Sequence, residues 1–395
     1  MKSSKIISNP IRIGYSLSLF GPVAENTKAV MLAHSIWEED INNKGGLLGR
    51  KVELVCYNDN GDPLQVADCY EKLLDEDKVD LVIGGYGTNT IAASMPVIME
   101  RRRFLVGLMG LGVNLNLKYP NYFSMIPTGP KPNSSLTEGF FALAASQNPK
   151  PLTVAILSAD AEFSKNPVIG ARENAEKYGF QIVYENIYSL STKDFTSFID
   201  QVQSTNADLL FICSYLNDSI GLIRTIHKNG YRPKMVGGAM IGPQSASVKT
   251  ELGPLLNGFV NYEYWMPVPK MDFQGVADML VKYQEKAVKA NLDALGYYMA
   301  PLAYAQLQVL EQAVVATESL DDETLSEYCR KNDFETVIGN VRFDEGGEWT
   351  KPRVLQVQFQ NIDNHDIETF RDNRVQVVVE PSAYASGSLI YPYSP

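Results

Sequence analysis

The sequence predicts an α/β fold with two doubly wound parallel-sheet lobes, and two observations indicate it. Short apolar runs alternate with amphipathic segments, and this alternation starts near residue 11 and again near residue 152. A proline-rich segment, Tyr119–Pro132, separates the two series. Strands that alternate with helices favour a parallel sheet covered by helices. At 395 residues the chain is long enough for two domains of this kind.

The first series begins with an apolar strand and a long amphipathic helix. Ala29, Ala33, Ile36 and Ile41 recur at helical spacing, and glycines after Lys44 supply a helix end. Pro63 suits the first position of the next helix. The expected order is strand Ile11–Leu19, helix Ala24–Asn43, strand Val52–Tyr57, helix Pro63–Glu76, strand Val79–Ile83, a helix from Ile91 to about Arg102 and strand Phe104–Gly107.

The second series ends in helices that have no sheet of their own. Expected strands are Leu152–Leu157, Phe180–Tyr188, Asp208–Cys213 and Lys234–Gly237, and expected helices are Glu162–Tyr178, Thr196–Thr205 and Ser219–Asn229. After an aromatic and proline-rich interruption at Asn257–Pro269, helices are expected at Asp272–Ala290, Tyr298–Thr317 and Asp322–Lys331, then strands at Val337–Phe343 and Val354–Gln360. This order suggests that the chain returns to its first sheet unit and crosses between lobes several times.

Composition excludes several classes of protein. No apolar run approaches the ~20 residues that cross a bilayer. The net charge is −11 and basic residues are scattered, so nucleic-acid binding is not expected. Four separated cysteines without a Cys-x-x-Cys pair form no zinc framework, and a bridge between Cys56 and Cys69 stays open. We expect no metal and no cofactor.

The segment Val79–Thr90 says most about function. An apolar run ends in three glycines, Tyr86 and two threonines before a helical pattern begins. A strand-to-helix turn leaves unpaired backbone N–H groups at the helix start, where a small anion or carbonyl can bind. Thr88 places a hydroxyl beside them, either to bind a ligand or to cap the helix. Tyr86 either lines this pocket or packs beneath the loop.

A second glycine-rich loop follows the strand Phe104–Gly107. Gly110 and Gly112 flank Leu111 there, and glycine permits a ligand to approach the backbone closely. The alternative is a tight turn with no ligand role. A dinucleotide site is not expected, because Gly85-x-Gly87-x-x-Thr90 lacks the third glycine and no acidic residue follows about twenty positions later at a strand end.

Catalytic motifs are missing from the sequence. The three histidines, His34, His227 and His365, lie in separate segments. No Gly-x-Ser-x-Gly, His-Glu-x-x-His or glycine-rich Lys-Ser/Thr loop occurs. We therefore expect no catalytic residue and no enzymatic activity.

Six motifs in register carry a resemblance to a known family. They are Ser18–Ala24, Asp40–Arg50, Tyr57–Pro63, Val82–Gly84 with the hydroxyl-rich loop, Val337–Gly339 and Phe343–Gly347. Together they resemble the type I periplasmic solute-binding proteins of the branched-chain amino acid and amide ABC-importer group, which are Leu/Ile/Val-binding-protein-like. The likeness runs from about Ile11 to Gln360.

The resemblance implies two lobes, joined by three crossovers, that close around one small solute and dock on a membrane permease. The implied lobes are 10–128 with 262–338 and 129–261 with 339–380, followed by a tail, 381–395, that is draped on the surface or partly loose. The implied ligand residues are Thr88 for its hydroxyl, Gly110, Leu111 and Gly112 for their backbone, and the far-lobe aromatics Phe163 and Tyr215.

One departure from the family concerns the ligand's amine. Amino-acid receptors of this group place an acid in the far lobe, and Ala239 stands at that position here. An unpaired ammonium costs several kcal/mol to bury, so an amino acid is expected to bind poorly. Asp160, Asp218 or Glu263 remains an alternative partner. Five further aromatics near the expected cleft favour a flat or bulky solute: Tyr262, Tyr264, Trp265, Tyr297 and Tyr298.

We therefore expect a monomeric periplasmic receptor of an ABC importer that binds a carboxylate, an aromatic acid, an amino acid or an amide. The first ten residues lack the apolar core of a secretory signal. Either the protein is cytoplasmic, or a signal was removed and a start Met added. The alternative function is accordingly a cytoplasmic amide-type ligand sensor that regulates a partner protein.

Overall fold

The computed structural model describes residues 9–394 and contains alternating strands and helices. The strands are β1 (Ile11–Leu17), β2 (Val52–Asn58), β3 (Leu81–Gly84), β4 (Leu105–Gly107), β5 (Tyr122–Ser124), β6 (Thr153–Ala159), β7 (Gln181–Tyr188), β8 (Leu209–Ser214), β9 (Met235–Met240), β10 (Val260–Glu263), β11 (Asp333–Thr336), β12 (Gly339–Arg342), β13 (Leu355–Phe359) and β14 (Gln376–Glu380).

The helices follow the same alternation. They are α1 (Ala24–Asn43), α2 (Pro63–Glu71, continued by a π-helical turn at Lys72–Glu76), α3 (Thr88–Glu100), α4 (Asn114–Leu117), α5 (Pro132–Ala145), α6 (Glu162–Tyr178), α7 (Thr196–Ser204), α8 (Leu216–Lys228), α9 (Ala246–Leu252), α10 (Val276–Ala290), α11 (Ala300–Thr317) and α12 (Asp322–Lys331).

The chain forms two compact units. Unit 1 holds the described residues of Met1–Met125 with Asp278–Tyr283 and Met299–Glu348. Unit 2 holds Ile126–Ala277, Gln284–Tyr298 and the described residues of Trp349–Pro395. The lobe boundaries expected from the sequence stay a prediction.

Unit 1 is built on a five-stranded parallel sheet. Its order is β2-β1-β3-β4-β5, and all four neighbouring pairs run parallel. Helix α1 packs against α11 and α2 against α3, which gives the sheet its helical layers. The central strands read as continuous apolar runs because both faces are buried. The carboxyl ends of β3 and β4 therefore stand side by side, and the two glycine-rich loops start there.

Unit 2 is built on a seven-stranded sheet of order β14-β13-β10-β9-β8-β6-β7. Strands β7, β6, β8, β9 and β10 run parallel, whereas β13 and β14 join the edge in antiparallel directions. The α/β class with two parallel-sheet units is confirmed, with these two strands as an antiparallel addition.

One expected strand is not found in the described structure. The single strand expected at Val337–Phe343 is wrong: β11 and β12 form a hairpin in unit 1, with Val337 and Ile338 in the turn. The described residues of the tail lie on the surface, one of the two expected alternatives, and Tyr393 anchors them, because it is buried and its N–H donates to Lys234 O at 2.8 Å. All four cysteines are free thiols. Within the described residues, no helix combines the length and apolar character that a bilayer crossing requires.

Candidate functional site

The loop between β3 and α3 holds Thr88 at the first helical position. Gly87 is the residue that caps the helix, with φ at 103°, a value that favours glycine. No side chain bonds to the first turn at this cap. Gly87, and not Thr88, is therefore the cap residue, and the Thr88 hydroxyl forms a different hydrogen bond.

That contact joins the two glycine-rich loops. The Leu111 N–H donates to Thr88 Oγ1 at 3.2 Å, and both residues are buried. The hydroxyl hydrogen of Thr88 has no acceptor among residues 9–394. Thr88 therefore accepts from one loop while keeping a donor for a further partner.

The second loop has glycine where a side chain does not fit. A Cβ on Gly110 would lie 2.6 Å from Tyr122 Oη and 3.0 Å from Val113 Cγ2. Gly112 has φ at 65°, in the left-handed region. The packing of Tyr122 and the turn geometry explain both glycines, and close approach of a ligand is an additional role that these observations leave as a prediction.

Tyr86 is buried and forms hydrogen bonds within unit 1. Its side chain is 95% buried, and its hydroxyl accepts a hydrogen bond from Asn26 Nδ2 at 2.9 Å. Its carbonyl accepts from Thr90 Oγ1 at 2.7 Å. These contacts hold the loop in place, so Tyr86 shapes the loop whether or not it also lines a pocket.

A pair of buried polar residues beneath these loops was missed by sequence reasoning. Gln306 of α11 and His34 of α1 are both fully buried and hydrogen-bonded to each other. Sequence analysis noted His34 only as a non-catalytic histidine. The available signal was a glutamine in the helix Ala300–Thr317 whose neighbours three and four residues away are all apolar.

In unit 2, the aromatics Phe163 and Tyr215 meet. Phe163 lies in the first turn of α6 and Tyr215 directly precedes α8, so both follow parallel strands that end at the same edge. Their ring centroids are 6.1 Å apart at 83°, an edge-to-face contact. The structure thus brings together the two aromatics that the resemblance implied.

Ala239 lies in β9 with no carboxyl group near it in sequence. It is 1% exposed and pairs with Cys213 of β8. Gly238 beside it has φ at 122°, and a Cβ there would lie 2.6 Å from the Phe211 ring. This strand is therefore packed tightly against its apolar neighbours.

Asp218 is committed to the fold of unit 2. The Tyr188 hydroxyl donates to Asp218 Oδ2 at 2.5 Å, and the Tyr215 N–H donates to Oδ1 at 2.9 Å. Burial raises the pKa of Asp218, and these two hydrogen bonds oppose that rise by favouring the ionised form. A carboxylate held in this way is a poor candidate for pairing with a ligand's ammonium.

The other two acids differ in exposure. Asp160 is exposed. Glu263, at the end of β10, is 2% exposed, and burial raises its pKa to about 8, although nearby Lys249 lowers it. Its Oε2 atom has no hydrogen-bond partner among the described residues. Burial thus disfavours a negative charge on Glu263, and any charge that it carries already interacts with Lys249.

The five further aromatics all lie in unit 2 and are all buried. Tyr264 stacks on Tyr298 with centroids 6.5 Å apart, and Trp265 contacts Tyr297 at 6.0 Å. Tyr262 contacts Tyr264 at 5.4 Å. Packing among themselves accounts for much of this aromatic surface, so a role in choosing a flat solute stays a prediction.

The chain matches a family described as periplasmic binding protein over residues 10–361. The leucine-specific-binding protein of Salmonella typhimurium is 23% identical over 346 residues, which cover 88% of this chain and 90% of that protein. The similarity therefore extends over nearly the whole chain.

Solved structures show the same fold. A leucine binding protein from Thermotoga maritima matches with a TM-score of 0.75 and 20% identity, covering 89% of this chain and 96% of that one. A solute-binding protein of an ABC transporter from R. palustris, in complex with benzoate, matches with a TM-score of 0.75 and 14% identity, covering 96% and 98%. At sequence identities this low, the similarity to these structures shows a shared fold and nothing more.

Proposed function

The chain belongs to the periplasmic binding protein family, and we propose that it is the extracytoplasmic solute-binding receptor of an ABC importer. The relatives are solute-binding receptors rather than enzymes, and they bind small molecules. The family match along most of the chain is the observation that carries this proposal. A location in the periplasm and a membrane permease as partner belong to the proposal.

We further propose that the solute is a carboxylate without a charged amine, with an aromatic acid as the favoured class. Ala239 replaces the acid expected for an amino-acid receptor, and Asp218 is held by Tyr188 and Tyr215. Burial raises the pKa of Glu263, and nearby Lys249 already interacts with the charge that it carries. An ammonium would lose hydration in such a site without gaining a negative partner. The benzoate bound by the R. palustris relative is consistent with this class.

Unit 1 supplies the groups that suit the carboxylate. The hydroxyl of Thr88 has a hydrogen to donate, and it stands at the first turn of α3, where the helix dipole favours negative charge. In unit 2, Phe163 and Tyr215 present an aromatic pair suited to an apolar or aromatic body. We propose that each unit contributes such groups to solute recognition, and that binding shifts the population towards the liganded conformation.

Matched pairs of ligands test the solute class. 3-Phenylpropanoate and L-phenylalanine differ only by the amine, as do 4-methylpentanoate and L-leucine. A ligand that binds the folded state raises the melting temperature by mass action. We expect 3-phenylpropanoate or benzoate to raise it and L-phenylalanine to leave it unchanged at equal concentration. Stabilisation by the amino acid of each pair, and not by its deaminated partner, would overturn the assignment.

Cell fractionation tests the location. After osmotic shock of the native host, an antibody against this chain should detect it in the released periplasmic fraction. Retention with cytoplasmic markers would favour the ligand-sensor alternative.

A further inference from the structure

Gln306 is a buried amide on the apolar face of a long helix. It lies in α11, where most residues are buried, and its own exposure is 0%. Burying an amide without hydrogen bonds costs several kcal/mol in transfer free energy. The side chain must therefore find partners, and these partners indicate its role.

Both amide hydrogens of Gln306 bond to ends of neighbouring strands. Nε2 donates to Gly84 O at 2.8 Å and to Val106 O at 2.7 Å. Gly84 is the last residue of β3, and Val106 is the penultimate residue of β4. One side chain thus holds the two strands at the points from which the Thr88 and Leu111 loops depart.

His34 determines which way the amide faces. Its Nε2 lies 3.0 Å from Gln306 Oε1. Because the amide nitrogen is used by two carbonyls, Oε1 is the acceptor and the hydrogen is on His34 Nε2. Burial lowers the pKa of His34 to about 4, so the ring is neutral near pH 7. An edge-to-face contact with Tyr15, with centroids 5.0 Å apart, holds the ring.

We infer that Gln306 is a positioning residue for the two solute-binding loops. The clamp on β3 and β4 sets the separation at which Leu111 N–H meets Thr88 Oγ1, four to five residues further along the chain, beyond the ends of the two strands. His34 keeps the clamp in its working orientation. This inference rests on the proposed function only in naming these loops as solute-binding, because the clamp itself is a property of unit 1.

Hydrogen–deuterium exchange of the ligand-free protein tests the clamp without a solute. Gln306→Met keeps the side-chain length and removes all three hydrogen bonds. Leu310→Ala is the matched control, since Leu310 is fully buried one turn along α11 and bonds to neither loop. We expect faster exchange of peptides that contain the loops at 85–88 and 108–112 in Gln306→Met, and not in Leu310→Ala. Equal exchange of these loops in both variants would overturn the inference.

A milder variant and a binding measurement complete the test. Gln306→Asn, one methylene shorter, loses reach to the two carbonyls and should show the same loop-specific exchange if Gln306→Met does not fold. With benzoate and 3-phenylpropanoate as probes, we expect Gln306→Met or Gln306→Asn to raise Kd about tenfold, equivalent to one lost hydrogen bond, with Kd of Leu310→Ala near wild type. Unchanged Kd in the glutamine variants would contradict a positioning role. If neither probe binds wild type, the solute class is overturned, while the exchange result still decides the role of Gln306.

Discussion

Replacing Tyr188 by phenylalanine tests whether Asp218 serves the fold rather than a ligand. The substitution removes only the hydroxyl, which donates to Asp218 Oδ2 at 2.5 Å and has a longer contact, 3.3 Å, with Cys213 O. The ring contacts remain, since Tyr188 packs edge-to-face on Phe195 with centroids 5.1 Å apart. Any loss of stability therefore reports on the hydrogen bonds of this hydroxyl, and its dependence on pH reports on the bond to the carboxylate.

The expected loss follows from the burial of both partners. Tyr188 is 1% and Asp218 5% exposed, so no solvent replaces the lost donor. A hydrogen bond to a charged group contributes about 1.5–3 kcal/mol, and the Tyr215 N–H remains as a partner of the carboxylate. We therefore expect a decrease of about 2 kcal/mol in the free energy of unfolding, or about 4–8 °C in melting temperature.

Calorimetry of Tyr188→Phe beside Tyr184→Phe is the assay. Tyr184 lies on the same strand, but its hydroxyl donates to Gln201 Oε1 at 3.2 Å and accepts from Asn186 Nδ2 at 3.0 Å where solvent can replace these partners, so its loss should stay within about 0.5 kcal/mol. The deficit of Tyr188→Phe should shrink at acidic pH, because a protonated Asp218 needs that donor less. Equal losses in the two variants, or a deficit that grows on acidification, would refute this account of Asp218.

Three further predictions concern other groups. In calorimetry, Thr88→Val should weaken binding of 3-phenylpropanoate by about 1–2 kcal/mol, whereas Thr88→Ser should bind nearly as well as wild type. If Thr88→Val binds as tightly as wild type, the Thr88 hydroxyl does not contact the solute. Burial raises the pKa of Glu348 to about 8, and neither of its carboxyl oxygens has a partner among the described residues. The folded state keeps this proton to a higher pH than the unfolded chain does, so the free energy of unfolding should fall as pH rises from about 4.5 to about 8, by at most about 1.4 kcal/mol per pH unit. In urea titrations, Glu348→Gln should flatten that fall, whereas Glu345→Gln, at an exposed position, should not. Tyr393→Ala should lower the free energy of unfolding by about 3 kcal/mol, clearly more than Tyr391→Ala does. If Tyr393→Ala costs no more than Tyr391→Ala, the buried ring of Tyr393 does not anchor the tail.

Regular alternation made most of the fold predictable from sequence. The helix Ala24–Asn43 and the helix Glu162–Tyr178 have their expected bounds, because apolar spacing and end signals agree there. Helix α5 was not expected, since the prolines before it suggested an interruption, although Pro132 begins the helix. Strand β10 was hidden in the same way by the aromatic segment around it.

Local apolarity misled the expectation at Val337–Phe343. Val337 and Ile338 are buried and β-branched, as in a strand, yet they form the turn between β11 and β12. Thr336 Oγ1 donates to Gly339 O at 2.7 Å, and Gly339 has φ at 86°. A tertiary environment that buries the turn is invisible to hydrophobic spacing.

The candidate site was predictable by residue type but not by contact. Thr88, Gly110 and Leu111 follow neighbouring strands, so sequence placed them at one sheet edge. Their hydrogen bond depends on the register of β3 and β4 and on the clamp by Gln306, 195 or more residues away in sequence. The commitment of Asp218 likewise depends on a tyrosine 30 residues earlier in the chain.

A crystal structure of the protein with the carboxylate that binds most tightly in the ligand screen tests the central proposal most directly. The account predicts a carboxylate oxygen within hydrogen-bonding distance of Thr88 Oγ1 and of a backbone N–H in residues 110–112. It would be contradicted by a solute bound away from both loops, or by an amino-acid ligand whose ammonium pairs with Asp218 or Glu263.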